Sequence, residues 1–116
     1  MSKKSLIIIG SGMTGITLAK NLYPKVFKIL ILDKGKKIGG RMASKSIYLD
    51  KRKFTYDYGA QFFTVRSEEF QNEVSKWEKK NFVKVWCNGF NKIDGHKRYI
   101  SIKGMQNLFV RLSNNL

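Results

Sequence analysis

Acidic side chains are scarce in this sequence: 8 Asp and Glu stand against 23 Lys and Arg, a formal charge of +15 at pH 7. Cysteine, histidine and proline occur once each, as Cys87, His96 and Pro24. A lone cysteine excludes an intrachain disulfide and points to a reducing, cytoplasmic setting. No apolar run approaches the roughly 20 residues that span a bilayer. The apolar stretch nearest the start, Leu6 to Ile9, is also too short for a signal-peptide core. No membrane partner is therefore expected. Repeats, low-complexity tracts and Pro/Gly/Ser-rich linkers are missing too, so the 116 residues read as a single unit.

The cationic surplus suits polyanions without specificity. The densest stretch holds Lys25, Lys28, Lys34, Lys36, Lys37, Arg41, Lys45, Lys51, Arg52 and Lys53. No recognition-helix pattern, zinc spacing or RNA-binding aromatic signature accompanies it, so nucleic acid is expected only as a non-specific partner. His96 stands alone in a polar loop, and Cys87 has no second cysteine or basic cluster close by. Neither a metal site nor a catalytic constellation of side chains is expected.

At 42% hydrophobic and 13% aromatic, the chain has the material for a packed core. Ser5 to Ile9 is a β-branched apolar run closed by glycine, as in a strand buried on both faces. A helix is predicted from about Met13 to Leu22, with Pro24 in the connection after it. Val26 to Leu32 reads as a second buried strand with Asp33 at its end. Strand, helix and strand together have the roughly 30 residues of a βαβ unit. Beyond it, Ser46 to Tyr58 alternates around the polar turn Asp50-Lys51-Arg52-Lys53 and suggests a hairpin. Ser67 can cap a helix to about Lys80, with Glu68 and Glu69 in its first turn and Phe70, Val74 and Trp77 on one core stripe. Phe82 to Trp86 and Tyr99 to Ile102 read as short strands around a loop with Asn88-Gly89 and Asp94-Gly95. A last helix, about 104–113, carries Met105, Leu108, Phe109 and Leu112 on one face.

The chemistry concentrates in the first half. Gly10-Ser11-Gly12-Met13-Thr14-Gly15 is a G-x-G-x-x-G element between the first strand and the first helix, the context in which that motif binds dinucleotides. Gly10 permits the turn out of the strand, Gly12 lets the backbone approach a pyrophosphate, and Gly15 lets helix and sheet pack closely. The N–H groups at the helix start face the phosphates, where the Thr14 hydroxyl can add a donor. Asp33 follows about 20 residues after Gly12, where a carboxylate accepts from ribose hydroxyls and repels a 2′-phosphate. Lys34 beside it softens that repulsion. Gly39-Gly40-Arg41-Met42 offers a second close backbone approach and a guanidinium for a phosphate, which a simple NAD site does not need.

Taken together, Gly10 to Gly15, Leu32-Asp33-Lys34 and Gly39 to Met42 resemble the N-terminus of the renalase family, within the FAD-dependent amine-oxidase superfamily. Asp57-Tyr58-Gly59-Ala60-Gln61-Phe62-Phe63-Thr64 and Arg98 to Met105 are similar to two later stretches of that family. The resemblance implies FAD as cofactor. Gly12, Thr14 and Gly15 would meet its pyrophosphate, Asp33 the adenosine ribose, Gly40 to Met42 the phosphate and flavin side, and Gly59 to Phe62 the surroundings of the isoalloxazine. The candidate cofactor-binding set is thus Gly10, Gly12, Met13, Thr14, Gly15, Asp33, Lys34, Gly40, Arg41, Met42, Gly59, Ala60, Gln61 and Phe62.

The expected fold is α/β: a Rossmann-like FAD/NAD(P)-binding βαβ unit (5–33), a flavin-proximal segment (39–64) with an added hairpin, and two helices. It is incomplete relative to the family, whose members continue into a substrate domain and a further FAD-contacting segment. The implied activity is flavin-mediated oxidation of a dihydronicotinamide dinucleotide or an amine, with electrons passed to oxygen. Little activity is expected from this chain alone, which would be a fragment or be completed by a separately encoded C-terminal half. A non-catalytic dinucleotide-binding module and a basic nucleic-acid-binding protein are the alternatives.

Overall fold

The computed structural model of the chain describes residues 4–23, 25, 27–114 and 116. In order come β1 (Lys4–Ile9), α1 (Met13–Leu22), β2 (Phe27–Leu32), a 3₁₀ turn (Gly40–Met42), β3 (Ser44–Leu49), β4 (Arg52–Asp57), α2 (Glu68–Lys79), β5 (Val83–Cys87), β6 (Arg98–Ser101) and α3 (Met105–Ser113). A βαβ unit, a hairpin and two further helices are present, the mixed α/β arrangement that the patterning anticipates. Pro24 and Val26, expected in the connection and at the start of the second strand, lie outside the described residues.

β1 and β2 pair in parallel, with Ile8 opposite Ile31, Ile7 opposite Leu30 and Ile9 opposite Leu32. The expectation that both faces of these strands are buried is corrected here. Ile8 is 8% exposed, but its neighbour Ile9 is 79% exposed, and Ile7, Leu30 and Leu32 are exposed with it. α1 packs on one face of the pair, and nothing among the described residues covers the other. The run of apolar residues in each strand therefore behaves as an alternating pattern. The Cα radius of gyration, 16.2 Å, exceeds the roughly 13 Å of a compact chain this long, in keeping with open faces.

β3 and β4 form the hairpin in antiparallel register, Ile47 opposite Phe54 and Leu49 opposite Arg52. Its turn is two residues, not the four expected: Asp50 and Lys51 sit at φ 48° and 66°, and Arg52 and Lys53 already belong to β4. Two left-handed residues match the twist of the flanking strands better than a wider loop does. Ser67 caps α2 by accepting a hydrogen bond from the Phe70 N–H at 3.2 Å, as its sequence position foretells.

β5 and β6 pair antiparallel, and each lies one residue from its expected bounds. Ile102, expected inside the last strand, falls just past β6 but still donates its N–H across the ribbon to the Phe82 carbonyl at 3.0 Å. Phe63 extends the ribbon by a bridge to Tyr99, and the two rings stack at 5.5 Å. The core lies between the three helices and this ribbon. Ile16 of α1, Val74 and Trp77 of α2, Val83 and Tyr99 of the ribbon, and Leu108, Phe109 and Leu112 of α3 are all buried there. Burying a side chain of this size contributes roughly 1.5–3 kcal/mol, so α3, with three such residues, is the main tie between the βαβ unit and the rest.

Candidate functional site

The first glycine loop leaves β1 at Gly10, whose φ of 98° is one that L side chains rarely adopt. Its N–H donates to the Leu32 carbonyl at 2.7 Å, which closes the loop onto the end of β2. Gly15 lies one turn into α1. A Cβ there would collide with the Gly10 carbonyl oxygen and come within 3.3 Å of Ile8 Cγ2. The close packing of helix on strand therefore depends on this glycine.

Gly12 differs from both. Its φ of −76° and ψ of −170° are open to any residue, and a Cβ would meet no atom within 4 Å. Neither backbone conformation nor protein packing calls for glycine there. Gly12 opens α1, which has no side-chain cap and no acid in its first turn. The positive end of the helix dipole is thus left to an outside anion.

Asp33 braces this loop from behind. Its Oδ2 accepts from both the N–H and the hydroxyl of Ser11, each at 2.6 Å, and its Oδ1 accepts from the Gly35 N–H at 2.6 Å. The Ser11 hydroxyl, then the Ser11 and Gly35 N–H groups, hold the carboxyl down from 3.8 to about 2. It is ionised throughout the neutral range.

The second glycine loop docks on the first, since the Gly39 N–H donates to the Ser11 carbonyl at 2.9 Å. Gly40 then faces Gly12, where an added Cβ would lie 3.4 Å from the Gly12 Cα. A third segment closes on the second. Ala60 donates its N–H to the Arg41 carbonyl at 2.9 Å, and a Cβ on Gly59 would strike that same oxygen. Beneath them lies α3: Gln106 donates its side-chain amide to the Ile38 carbonyl at 2.6 Å, and Phe109 Cδ2 would lie 3.8 Å from a Cβ on Gly39.

These three segments enclose a cleft of about 910 Å³ lined by Ile9, Gly10, Gly12, Met13, Thr14, Gly15, Gly39, Gly40, Arg41, Met42, Ala43, Tyr58, Gly59 and Ala60. That is near the upper end of the size range of small-molecule sites. Arg41 is the one charged residue in the lining. Of the candidate residues, Gly10, Gly12, Met13, Thr14, Gly15, Gly40, Arg41, Met42, Gly59 and Ala60 are brought together. Asp33 stands behind the loop, and Lys34 is exposed beside it. Gln61 is exposed outside the lining, and Phe62 packs against Trp86 and Phe90 with ring centroids 6.1 and 5.4 Å away.

Ile9, Gly39, Ala43 and Tyr58 line the cleft from outside the candidate set, although Gly39 and Tyr58 belong to the quoted motifs. Each is adjacent to a candidate residue, which is the one signal the sequence offers for them. Ser11 lies inside the first motif and Gln106 just after the last, but their role of holding the loops in place is carried by the contacts of Ser11 with Asp33 and of Gln106 with Ile38. Among the described residues, no group of three or more His, Cys, Asp or Glu is placed to hold a metal ion, and no helix is long and apolar enough to cross a membrane.

A parallel βαβ unit whose glycine turn opens a helix toward a cleft, with an acid at the end of the second strand, defines a dinucleotide-binding domain. The chain belongs to the NAD(P)-binding Rossmann-like domain family, whose model matches residues 8–77. It is also similar to the protein FLOWERING LOCUS D of Arabidopsis thaliana, 33% identical over 63 residues, which is 54% of this chain and 8% of that protein. The chain thus corresponds to a small part of that relative's length.

Proposed function

We propose that the chain is the cofactor-binding portion of a renalase-like, FAD-dependent oxidoreductase, with FAD lying along the glycine-lined cleft. The observation that carries this reading is Gly12, a glycine that neither its φ nor any neighbouring protein atom requires, at the mouth of an uncapped helix. A ligand backbone pressed against it supplies the reason. In this reading the N–H groups from Gly12 to Gly15 and the Thr14 hydroxyl face the pyrophosphate. The Arg41 guanidinium neutralises it from the second loop. A carboxylate has about four acceptor positions; Asp33 uses three on Ser11 and Gly35 and keeps one for a ribose hydroxyl. Its full ionisation disfavours a 2′-phosphate and hence NADP.

FAD is favoured over NAD because the cleft continues past the first loop, along Gly39 to Ala43, to Tyr58, Gly59 and Ala60. Gly59 and Ala60 give the flavin end close backbone approach, with Gln61 and Phe62 at its border. The flavin supplies the redox chemistry, oxidation of a dihydronicotinamide dinucleotide or an amine with electrons passed to oxygen. The chain's residues bind and orient it. The open face carrying Ile7, Ile9, Leu30 and Leu32 is then covered in the working enzyme by further polypeptide, and this chain alone turns over negligibly.

Calorimetric titration of the purified chain with FAD, NAD and NADP tests the reading. FAD should bind more tightly than NAD, and NADP least. Gly12→Val should abolish FAD binding while leaving the circular dichroism spectrum unchanged, because no protein atom lies within 4 Å of an added Cβ. Unaltered FAD affinity in Gly12→Val, or a preference for NAD, would overturn it.

A further inference from the structure

Only 8 acids face 23 basic residues, and several of those acids are committed to internal contacts. Asp33 accepts from Ser11 and Gly35, Asp57 accepts from the Ser44 hydroxyl and the Met105 N–H, and Asp94 pairs with Arg98. The cationic surplus is therefore left without internal partners, and in one place it converges. A second cleft, of about 340 Å³, lies between the hairpin and α3. It is lined by Lys37, Lys53 and Lys103 together with Ser46, Thr55 and Asn107, among others, and by no carboxylate. The three lysines come from three separate parts of the chain: the loop after β2, strand β4 and the turn before α3. None of them has a carboxylate partner among the described residues.

Two further features make this more than a chance meeting of surface lysines. Lys103 sits at φ 66°, a left-handed conformation that strains an L side chain and that glycine adopts freely. A cation is presented at the cleft mouth despite that strain, and strain held at a ligand-facing position is a mark of function. The cleft floor is polar as well: Ser46 and Thr55 hydrogen-bond to each other at 3.0 Å across the hairpin. One of the two hydroxyls donates in that bond, and the other keeps its O–H for an incoming phosphate oxygen. The Asn107 side-chain amide, bound at 2.9 Å to the Ile102 carbonyl, has a second N–H to donate.

We propose that this cleft is an anion site for a phosphate-bearing group, with Lys37, Lys53 and Lys103 as its charge clamp and the Ser46–Thr55 pair supplying one hydroxyl donor. It is separate from the dinucleotide cleft, with which it shares no lining residue, and it stands whether or not that cleft takes FAD. A free phosphate compound and a lipid headgroup carry the same chemistry.

The full chain, titrated calorimetrically with inorganic pyrophosphate, decides the matter with three variants. Lys53→Gln/Lys103→Gly should weaken binding by about tenfold or more, the scale of hydrogen bonds to charged groups, while remaining folded because Lys103→Gly relieves the strained turn. Lys76→Gln/Lys79→Gln, on α2, removes the same charge elsewhere and should leave affinity within about twofold. Arg41→Gln reports on the dinucleotide cleft, and any loss of pyrophosphate binding it causes there should be separate from, and additional to, the loss in Lys53→Gln/Lys103→Gly. Equal weakening by the two lysine pairs would reduce the effect to net charge and overturn the proposal. So would binding that is lost in Arg41→Gln but kept in Lys53→Gln/Lys103→Gly. In parallel, phosphatidylcholine vesicles with and without phosphatidic acid are sedimented with each variant. Loss of phosphatidic-acid binding confined to Lys53→Gln/Lys103→Gly assigns the site to a lipid phosphate, and loss confined to pyrophosphate assigns it to a free one. If neither probe shows dependence on Lys53 and Lys103, the site does not exist.

Discussion

The glycine cleft and the junction between hairpin and α3 are held together by the same chemistry at different range. In each, one aspartate gathers a serine hydroxyl and a backbone N–H. Asp33 takes both from Ser11, 22 residues away. Asp57 takes the hydroxyl of Ser44, 13 residues away, and the N–H of Met105, 48 residues away. The first brace lies inside one βαβ unit and steadies the loop against which a ligand is proposed to rest. The second caps α3 from outside its own sequence, since Gly104 offers no side chain to do so, and α3 in turn supports Gly39 through Gln106 and Phe109. A local motif thus shapes the cleft, and a long-range contact keeps its second wall in place.

The comparison breaks most visibly at Phe109, which belongs to both regions. Phe109→Ala should cost about 4 kcal/mol, the scale of a large core truncation, and should disturb the Gly39 loop as well as α3. Urea unfolding followed by circular dichroism, read beside FAD affinity, checks both effects. Gly15→Ala tests the glycine cleft alone. Forcing a methyl against the Gly10 carbonyl should cost about 2–3 kcal/mol and lower FAD affinity at least in proportion, whereas a stability change under about 0.5 kcal/mol would show that the helix can shift away freely.

Asp57→Ala tests the junction alone, with an expected loss of about 1–2 kcal/mol as a helix cap disappears. Its effect should be confined to stability, with FAD affinity in the folded protein close to that of the parent. A larger loss of affinity than of stability would place Asp57 in the ligand site itself. The smallest effect is on pH dependence. The folded-state pKa of Asp33, about 2, lies below its ordinary 3.8, so its contribution to stability is fully present above 3.8 and is lost as pH falls through about 2. Asp33→Asn should therefore lose less stability than the parent between those pH values in matched urea titrations; parallel curves would show that the Ser11 contacts do not form in solution.

The residues of the βαβ unit were legible because their reasons are local. Helix α1 falls at Met13–Leu22 as its periodicity foretells, and the Ser67 cap and the Phe70, Val74 and Trp77 stripe are where short-range rules put them. The two-residue turn was less legible, because Arg52 and Lys53 have the polarity of turn residues while their register makes them strand. Burial of β1 and β2 was misread for a related reason. Four apolar residues in a row, Leu6 to Ile9 and again Ile29 to Leu32, say that a strand can be covered on both faces, and only the neighbours decide whether it is.

By itself the sequence determined the order of elements, the glycine turn and the acid that follows it, since each depends on contacts within about 20 residues or on the residue's own backbone preferences. The tertiary structure alone decided that Gly40 would come to rest against Gly12, that Asp57 would cap α3, and that Lys37, Lys53 and Lys103 would share one cleft. Those meetings join residues from about 15 to 70 positions apart, and no local periodicity records them. They are settled by which apolar faces find each other, here the burial of Leu108, Phe109 and Leu112 in one core with Ile16, Val74 and Trp77.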